Sequence, residues 1–190
     1  MNKILDILIE TGAILEGHFL LTSGKHSNKY VEKFRLIEQP ESLDLVCSAM
    51  ADLYKDQEID LVLGAAVGGI LISGGVGREL NLKHIFTERV NSIMELRRGF
   101  EINKGSKVLI VEDIVTTGGS IFELIDVVSK NSGEVVGITS ILDRNEKPVD
   151  FGFPYKPLVQ YPVQSWSPED IPDWLNEIPI TQRGRSGKKT

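Results

Sequence analysis

At 190 residues, 41% hydrophobic and 25% charged, the chain has the length of one ordinary domain and a globular composition, which excludes a disordered or collagenous protein. A formal net charge of −6 argues against broad electrostatic capture of nucleic acid or an anionic membrane, so an anionic ligand has to be held by a local site. Cys47 is the single cysteine, which rules out an intrachain disulfide framework and a multi-cysteine zinc site and fits a reducing cytoplasm.

Residues 2–11 read as an amphipathic helix ending at Gly12, and Lys3, Asp6 and Glu10 break its apolar positions, so no secretory leader is expected. Two short extended stretches follow at residues 18–21 and 29–34. Between them Leu20-Leu21-Thr22-Ser23-Gly24-Lys25-His26-Ser27 reads, taken alone, as a hairpin turn with a solvated Lys25. Residues 40–55 predict a helix, with Leu43, Val46, Cys47, Met50 and Leu53 at steps of three and four. A strand at 60–63 leads into Gly64-Ala65-Ala66-Val67-Gly68-Gly69 and a helix over 69–80. The uncharged run 61–77, seventeen residues with six glycines, is slightly short for a membrane span. The glycines allow either close backbone approach to an anion or tight helix packing through small residues. Next come strands at 84–87 and 107–112, a helix over 119–131 and a strand over 135–142 closed by Asp143-Arg144-Asn145-Glu146. His18, His26 and His84 lack a common ligand spacing and read as surface or packing residues. Residues 181–190 hold Arg183, Arg185, Lys188 and Lys189 with no acid, a solvated basic tail or, alternatively, a nucleic-acid arm.

Alternating strands and helices, with continuously apolar strands such as residues 108–111, predict a single α/β domain whose mostly parallel central sheet is flanked by helices. Ligands then belong beyond the carboxyl ends of the strands. The richest segment there is Val108-Leu109-Ile110-Val111-Glu112-Asp113-Ile114-Val115-Thr116-Thr117-Gly118-Gly119-Ser120. Two carboxylates at the end of a buried strand are costly unless something binds them; sugar hydroxyls or a metal ion would. The following turn offers hydroxyls, close-packed amides and a helix N-terminus suited to a phosphate. Acids for a ribose just before a cradle for a phosphate point to one ligand carrying both, a ribose 5-phosphate. A receiver-domain strand and a merely capped helix are the bland alternatives, and neither a Walker loop nor a dinucleotide fingerprint occurs.

These thirteen residues resemble the phosphoribosyl diphosphate signature of type I phosphoribosyltransferases, and residues 12–161 are similar to that family's orotate-specific branch. The resemblance implies the family's fold with a small N-terminal hood over residues 1–36, a core at 40–161 and a flexible tail at 181–190. It implies that Ala65, Ala66, Val67, Gly68 and Gly69, with Arg89, meet the diphosphate, while Glu112 and Asp113 hold the ribose hydroxyls. Thr116, Thr117, Gly118, Gly119 and Ser120 would hold the 5-phosphate, with Ile114 and Val115 also among the residues that bind the phosphoribosyl diphosphate. Thr116, Lys25 and Arg144 would hold orotate, the Arg144 fork meeting its carboxylate unless it pairs with Asp143 or Glu146. Arg89 and Asp113 would be the catalytic residues, and Mg2+ would ride on diphosphate and sugar hydroxyls with no direct protein ligand. The substrates implied are orotate and 5-phosphoribosyl 1-diphosphate, in pyrimidine biosynthesis, in a cytoplasmic homodimer with shared sites and no nucleic-acid or membrane partner. Residues 87–100 take the place of the family's mobile catalytic loop but lack the lysines and histidine many relatives carry there, with Arg97 and Arg98 on the returning strand. Thr22 stands where some relatives have lysine. A purine-type phosphoribosyltransferase and a non-catalytic transcription regulator on the same fold remain the other readings.

Overall fold

The structure, a computed structural model, describes residues 3–182. Its main sheet has six strands in the order β5-β4-β3-β6-β7-β8: β3 (Leu61–Ala65), β4 (Lys83–Val90), β5 (Ile93–Leu96), β6 (Lys107–Val115), β7 (Glu134–Asp143) and β8 (Tyr155–Gln160). All neighbours are parallel except the edge pair β4–β5. The α/β architecture with a mostly parallel sheet is therefore as the sequence predicts. Helices cover both faces because the central strands are apolar on both. α1 (Lys3–Glu10), α3 (Pro40–Asp52) and α4 (Gly68–Leu80) bury Leu8, Met50 and Ile72 against Val62, Leu109 and Val111. α5 (Gly119–Lys130) buries Ile121, Leu124 and Val128 against Leu63, Val108 and Ile110 on the opposite face. Each such side chain contributes roughly 1.5–3 kcal/mol of burial.

β3 is followed by α4 and β4 on one side, whereas β6 lies on its other side, so the strand order reverses between β3 and β6. A crevice at that reversal, beyond the strand ends, is where such sheets bind ligands.

A second, four-stranded sheet in the order β10-β1-β2-β9 forms the hood: β1 (Ile14–Leu20), β2 (His26–Val31), β9 (Ser165–Trp166) and β10 (Ile180–Gln182). The hood is thus built from both ends of the chain, a correction to a purely N-terminal one. The tail expected from residue 181 begins inside β10, where Thr181 pairs with Phe19; Arg183, Arg185, Lys188 and Lys189 lie outside the described residues. His18 and His26 are buried in this sheet, His18 Nε2 lying 2.6 Å from His26 Nδ1. The Ile178 carbonyl can only accept, so His18 Nδ1, 3.1 Å away, donates to it and ties the C-terminal segment to β1.

Several further boundaries differ from expectation, among them the start of β1 at Ile14 and the end of β4 at Val90. The stretch predicted extended through Phe34 ends at Val31, and Phe34–Ile37 form a short helix, α2, whose turn is closed by the Leu36 and Ile37 amides donating to the Lys33 carbonyl. Residues 87–100 are a hairpin, not a loop: Asn91 and Ser92 take φ of 49° and 68° between the paired Val90 and Ile93. Two left-handed residues in a two-residue turn match the twist of the strands they join. Arg97 and Arg98 follow β5 instead of lying in it. Finally, β6 runs three residues beyond 112 because Ile114 and Val115 pair with Leu142 and Asp143 of β7.

Candidate active site

The longer β6 places its two acids inside the strand, where successive side chains point to opposite faces. Glu112 faces the α5 side and lines a cavity of about 240 Å³ together with Arg89, Ile114, Val115, Thr116, Thr117, Gly118, Gly119, Ser120 and Glu123. Asp113 is absent from that lining. It points to the α4 face, where its Oδ2 accepts a 2.5 Å hydrogen bond from Lys33 Nζ and its Oδ1 accepts from the Ile114 amide at 2.6 Å.

Both acids are buried, at 7% and 4% exposure. Glu112 Oε1 accepts from the Asp113 amide at 2.9 Å. Burial, followed by the neighbouring Asp113 charge, pushes the Glu112 carboxyl up to about 8, which favours its protonated form around neutral pH. A carboxyl in that state both donates and accepts, which suits vicinal hydroxyls.

At the cavity floor α5 begins at Gly118, with no side-chain cap on its first turn. The first amides of a twelve-residue helix, its partial positive charge and the hydroxyls of Thr116, Thr117 and Ser120 converge on the same space. Gly118 is required twice over: its φ is +78°, and a Cβ there would stand 2.7 Å from Phe151 Cε1.

Arg89 reaches this cavity from β4 and is held on its wall. Its Nη2 lies 3.0 and 2.8 Å from the two Glu123 carboxylate oxygens, and its Nη1 donates to the Ser92 carbonyl at 2.9 Å. The structure thus brings Arg89 to the cavity that Thr116, Thr117 and Ser120 line. Residues 65–69 do not line that cavity; they form the turn from β3 into α4, with a cis Ala66–Val67 peptide. Gly64 and Gly69 are there for packing, since a Cβ on Gly64 would overlap the Gly69 carbonyl. Gly68 is different, because its missing side chain leaves the place that Asp113 Oδ2 occupies.

Arg144 follows β7, and its amide donates to the Val115 carbonyl at the end of β6, which puts it beside the cavity-forming turn. It does not pair with Asp143 or Glu146. Asp143 Oδ1 instead accepts from the Asn145 amide and side chain at 2.9 and 2.7 Å. Arg144 Nε is buried without a partner, and burial lowers the guanidinium's affinity for its proton, with Tyr30 of the hood nearby. An unpaired, buried donor on a planar fork is suited to a ligand carboxylate. Lys25 is exposed in the turn between β1 and β2, where the Leu21 amide donates to the Lys25 carbonyl at 2.8 Å.

Lys33, Tyr30 and Glu123 have no sequence signal. Lys33 and Asp113 are 80 positions apart, and nothing in Val31-Glu32-Lys33-Phe34 marks a site residue. Among the described residues no group of three or more histidines, cysteines, aspartates and glutamates could hold a metal ion, and no helix is long and apolar enough to cross a membrane.

Residues 35–169 match the phosphoribosyl transferase domain model, and the chain belongs to that family. It is 44% identical over 190 residues to orotate phosphoribosyltransferase of Caldicellulosiruptor bescii, covering 99% of this chain and 100% of that protein. Its identity to orotate phosphoribosyltransferase of Thermotoga maritima is 44% over 186 residues, covering 98% and 100%. In fold it is similar to the crystal structure of orotate phosphoribosyltransferase from Aeropyrum pernix, with a TM-score of 0.71 at 24% identity over 83% of this chain and 93% of that one.

Proposed function

We propose that the chain is an orotate phosphoribosyltransferase, which moves the 5-phosphoribosyl group from its 1-diphosphate to N1 of orotate and yields orotidine 5-monophosphate and diphosphate. The observation that carries the reading is Glu112 buried on the wall of the same cavity whose floor is the uncapped start of α5. That pairing fits one ligand with hydroxyls and a phosphate a few ångströms apart. The orotate half rests on the full-length similarity to the Caldicellulosiruptor and Thermotoga proteins and on Arg144, whose unpaired Nε suits the base's carboxylate.

Breaking the anomeric bond leaves positive character on the sugar and negative charge on the departing diphosphate. In this reading Thr116, Thr117 and Ser120 with the first α5 amides fix the 5-phosphate, and Glu112 grips the sugar hydroxyls. Arg144 aims the base, and most of the acceleration comes from positioning. Orotate can be anionic at its reacting nitrogen, so no strong protein base is called for.

Mg2+ belongs to the same proposal. Carboxylate and hydroxyl oxygens are the hard donors it prefers, and it binds through one or two carboxylates plus substrate phosphates. No protein side chain would need to ligate it directly: it would ride on the diphosphate and the sugar hydroxyls that Glu112 grips, and when bound would neutralise charge on the diphosphate. A cytoplasmic homodimer with shared sites completes the proposal.

The test is turnover of a panel of bases with 5-phosphoribosyl 1-diphosphate and Mg2+, followed through loss of orotate absorbance. Orotate should be consumed and adenine, guanine and hypoxanthine should not. Arg144→Ala should raise the orotate KM about 10- to 100-fold, the worth of a charged hydrogen bond, and leave the KM of the sugar substrate nearly unchanged. Rapid turnover of a purine without orotate turnover would overturn the substrate assignment.

A further inference from the structure

We propose that Lys33, carried in from the hood, is a diphosphate-binding residue of this enzyme and supplies the cation that the chain's own diphosphate loop lacks. The inference rests on the reading of residues 64–69 as that loop.

The loop Gly64-Ala65-Ala66-Val67-Gly68-Gly69 holds no charged side chain, yet a diphosphate brings several negative charges to it. Its backbone amides and the start of α4 can share that load but not neutralise it. A Cβ at position 68 would stand 2.0 Å from Asp113 Oδ2, so a side chain there would displace the carboxylate that holds Lys33. Arg89 is committed elsewhere, bound to Glu123 and the Ser92 carbonyl on the wall of the 5-phosphate cavity.

Lys33 Nζ lies in contact with the Gly68 turn, 3.5 Å from the position a Gly68 Cβ would take, and is held there by Asp113 Oδ2 at 2.5 Å. Its side chain is 34% exposed, against 5% for Asp113. An ammonium group has three donors. Asp113 takes one, and the side open to solvent leaves the others for an incoming anion beside the Gly68 turn. Asp113 then acts on Lys33 as a positioning residue, and the hood contributes to the leaving-group site as well as covering it.

The experiment is calorimetric titration of the full chain with magnesium diphosphate and, separately, with ribose 5-phosphate, for wild type, Lys33→Met and Lys33→Arg. Lys33→Met should weaken diphosphate binding about 10- to 100-fold while ribose 5-phosphate binds within about twofold of wild type, which also certifies the fold. Lys33→Arg should recover most of the loss, since it restores the charge. Equal diphosphate affinity in Lys33→Met and wild type overturns the role of Lys33 alone. If wild type binds ribose 5-phosphate but no diphosphate, the loop assignment falls and the inference with it. If Lys33→Met loses both ligands equally while remaining folded by circular dichroism, Lys33 is a general support of the site, and the specific role is refuted.

Discussion

Glu112 has the most unusual titration in the molecule, and its consequence for stability has a definite sign. Its carboxyl takes up its proton at about 8 when folded, against an ordinary value of 4.5, because burial and the Asp113 charge both oppose ionisation. The folded state therefore holds a proton that the unfolded chain releases. Stability from this group is complete below about 4.5 and is lost as the pH rises through about 8. Glu112→Gln keeps the shape and removes the titration. The substituted protein should be more stable than wild type at pH 8.5, by on the order of 1–3 kcal/mol, and much closer to it at pH 4.5. Urea denaturation at the two pH values measures the difference, and equal differences at both would mean that Glu112 is solvated. The same change should cost turnover, since the group that strains the fold is the one facing the sugar hydroxyls.

The turn from β6 into α5 is the element on which the phosphate cradle depends, and its geometry is set by one glycine. Gly118→Ala introduces a Cβ 2.7 Å from Phe151 into a backbone with φ of +78°. Strain and overlap together should cost roughly 2–4 kcal/mol in denaturant unfolding, and ribose 5-phosphate affinity should fall as the first α5 amides shift. A stability change under about 0.5 kcal/mol would show that the turn relaxes freely. Much of this element is legible from residue order alone: an apolar run, two acids, hydroxyls and glycines can hardly be anything but a strand, a turn and a helix start. The length of the strand is not legible. Ile114 and Val115 extend it only because Leu142 and Asp143 pair with them, and that extension sends Glu112 and Asp113 to opposite faces. The hairpin at Asn91-Ser92 is a similar case, since the family resemblance assigns residues 87–100 to a loop while the partnership of β4 and β5 makes a tight turn.

At the scale of the whole molecule the hood is assembled from residues 14–31 and 165–182, with the His18 bond to the Ile178 carbonyl and the Lys29 bond to the Tyr161 hydroxyl helping to fasten it. Deleting residues 165–190 leaves only the β1–β2 hairpin, and an isolated hairpin is marginal in water. Hydrogen exchange should then show residues 14–31 losing protection by at least about tenfold while the central strands β3, β6 and β7 keep theirs. Retained protection of β1 and β2 would mean that the hood needs only its N-terminal half. Binding of orotate should fall in the truncated protein, because Tyr30, the neighbour of Arg144, sits on β2.

Local order in the chain was enough to establish the α/β class, the strand–turn–helix proposed to cradle a phosphate, the glycine turn after β3 and the placement of Arg144 at the end of β7. Each of those depends on neighbours within about a dozen residues, and hydrophobic period, glycine and charge report directly on such distances. Tertiary structure alone decided that Lys33 meets Asp113 across 80 positions, that the two acids face apart, that Arg89 is tied to Glu123 and that the C-terminal strands complete the hood. Contacts of that kind follow from which surfaces the packed sheet brings together. An isolated lysine or a two-residue strand has no periodicity from which its partner could be read.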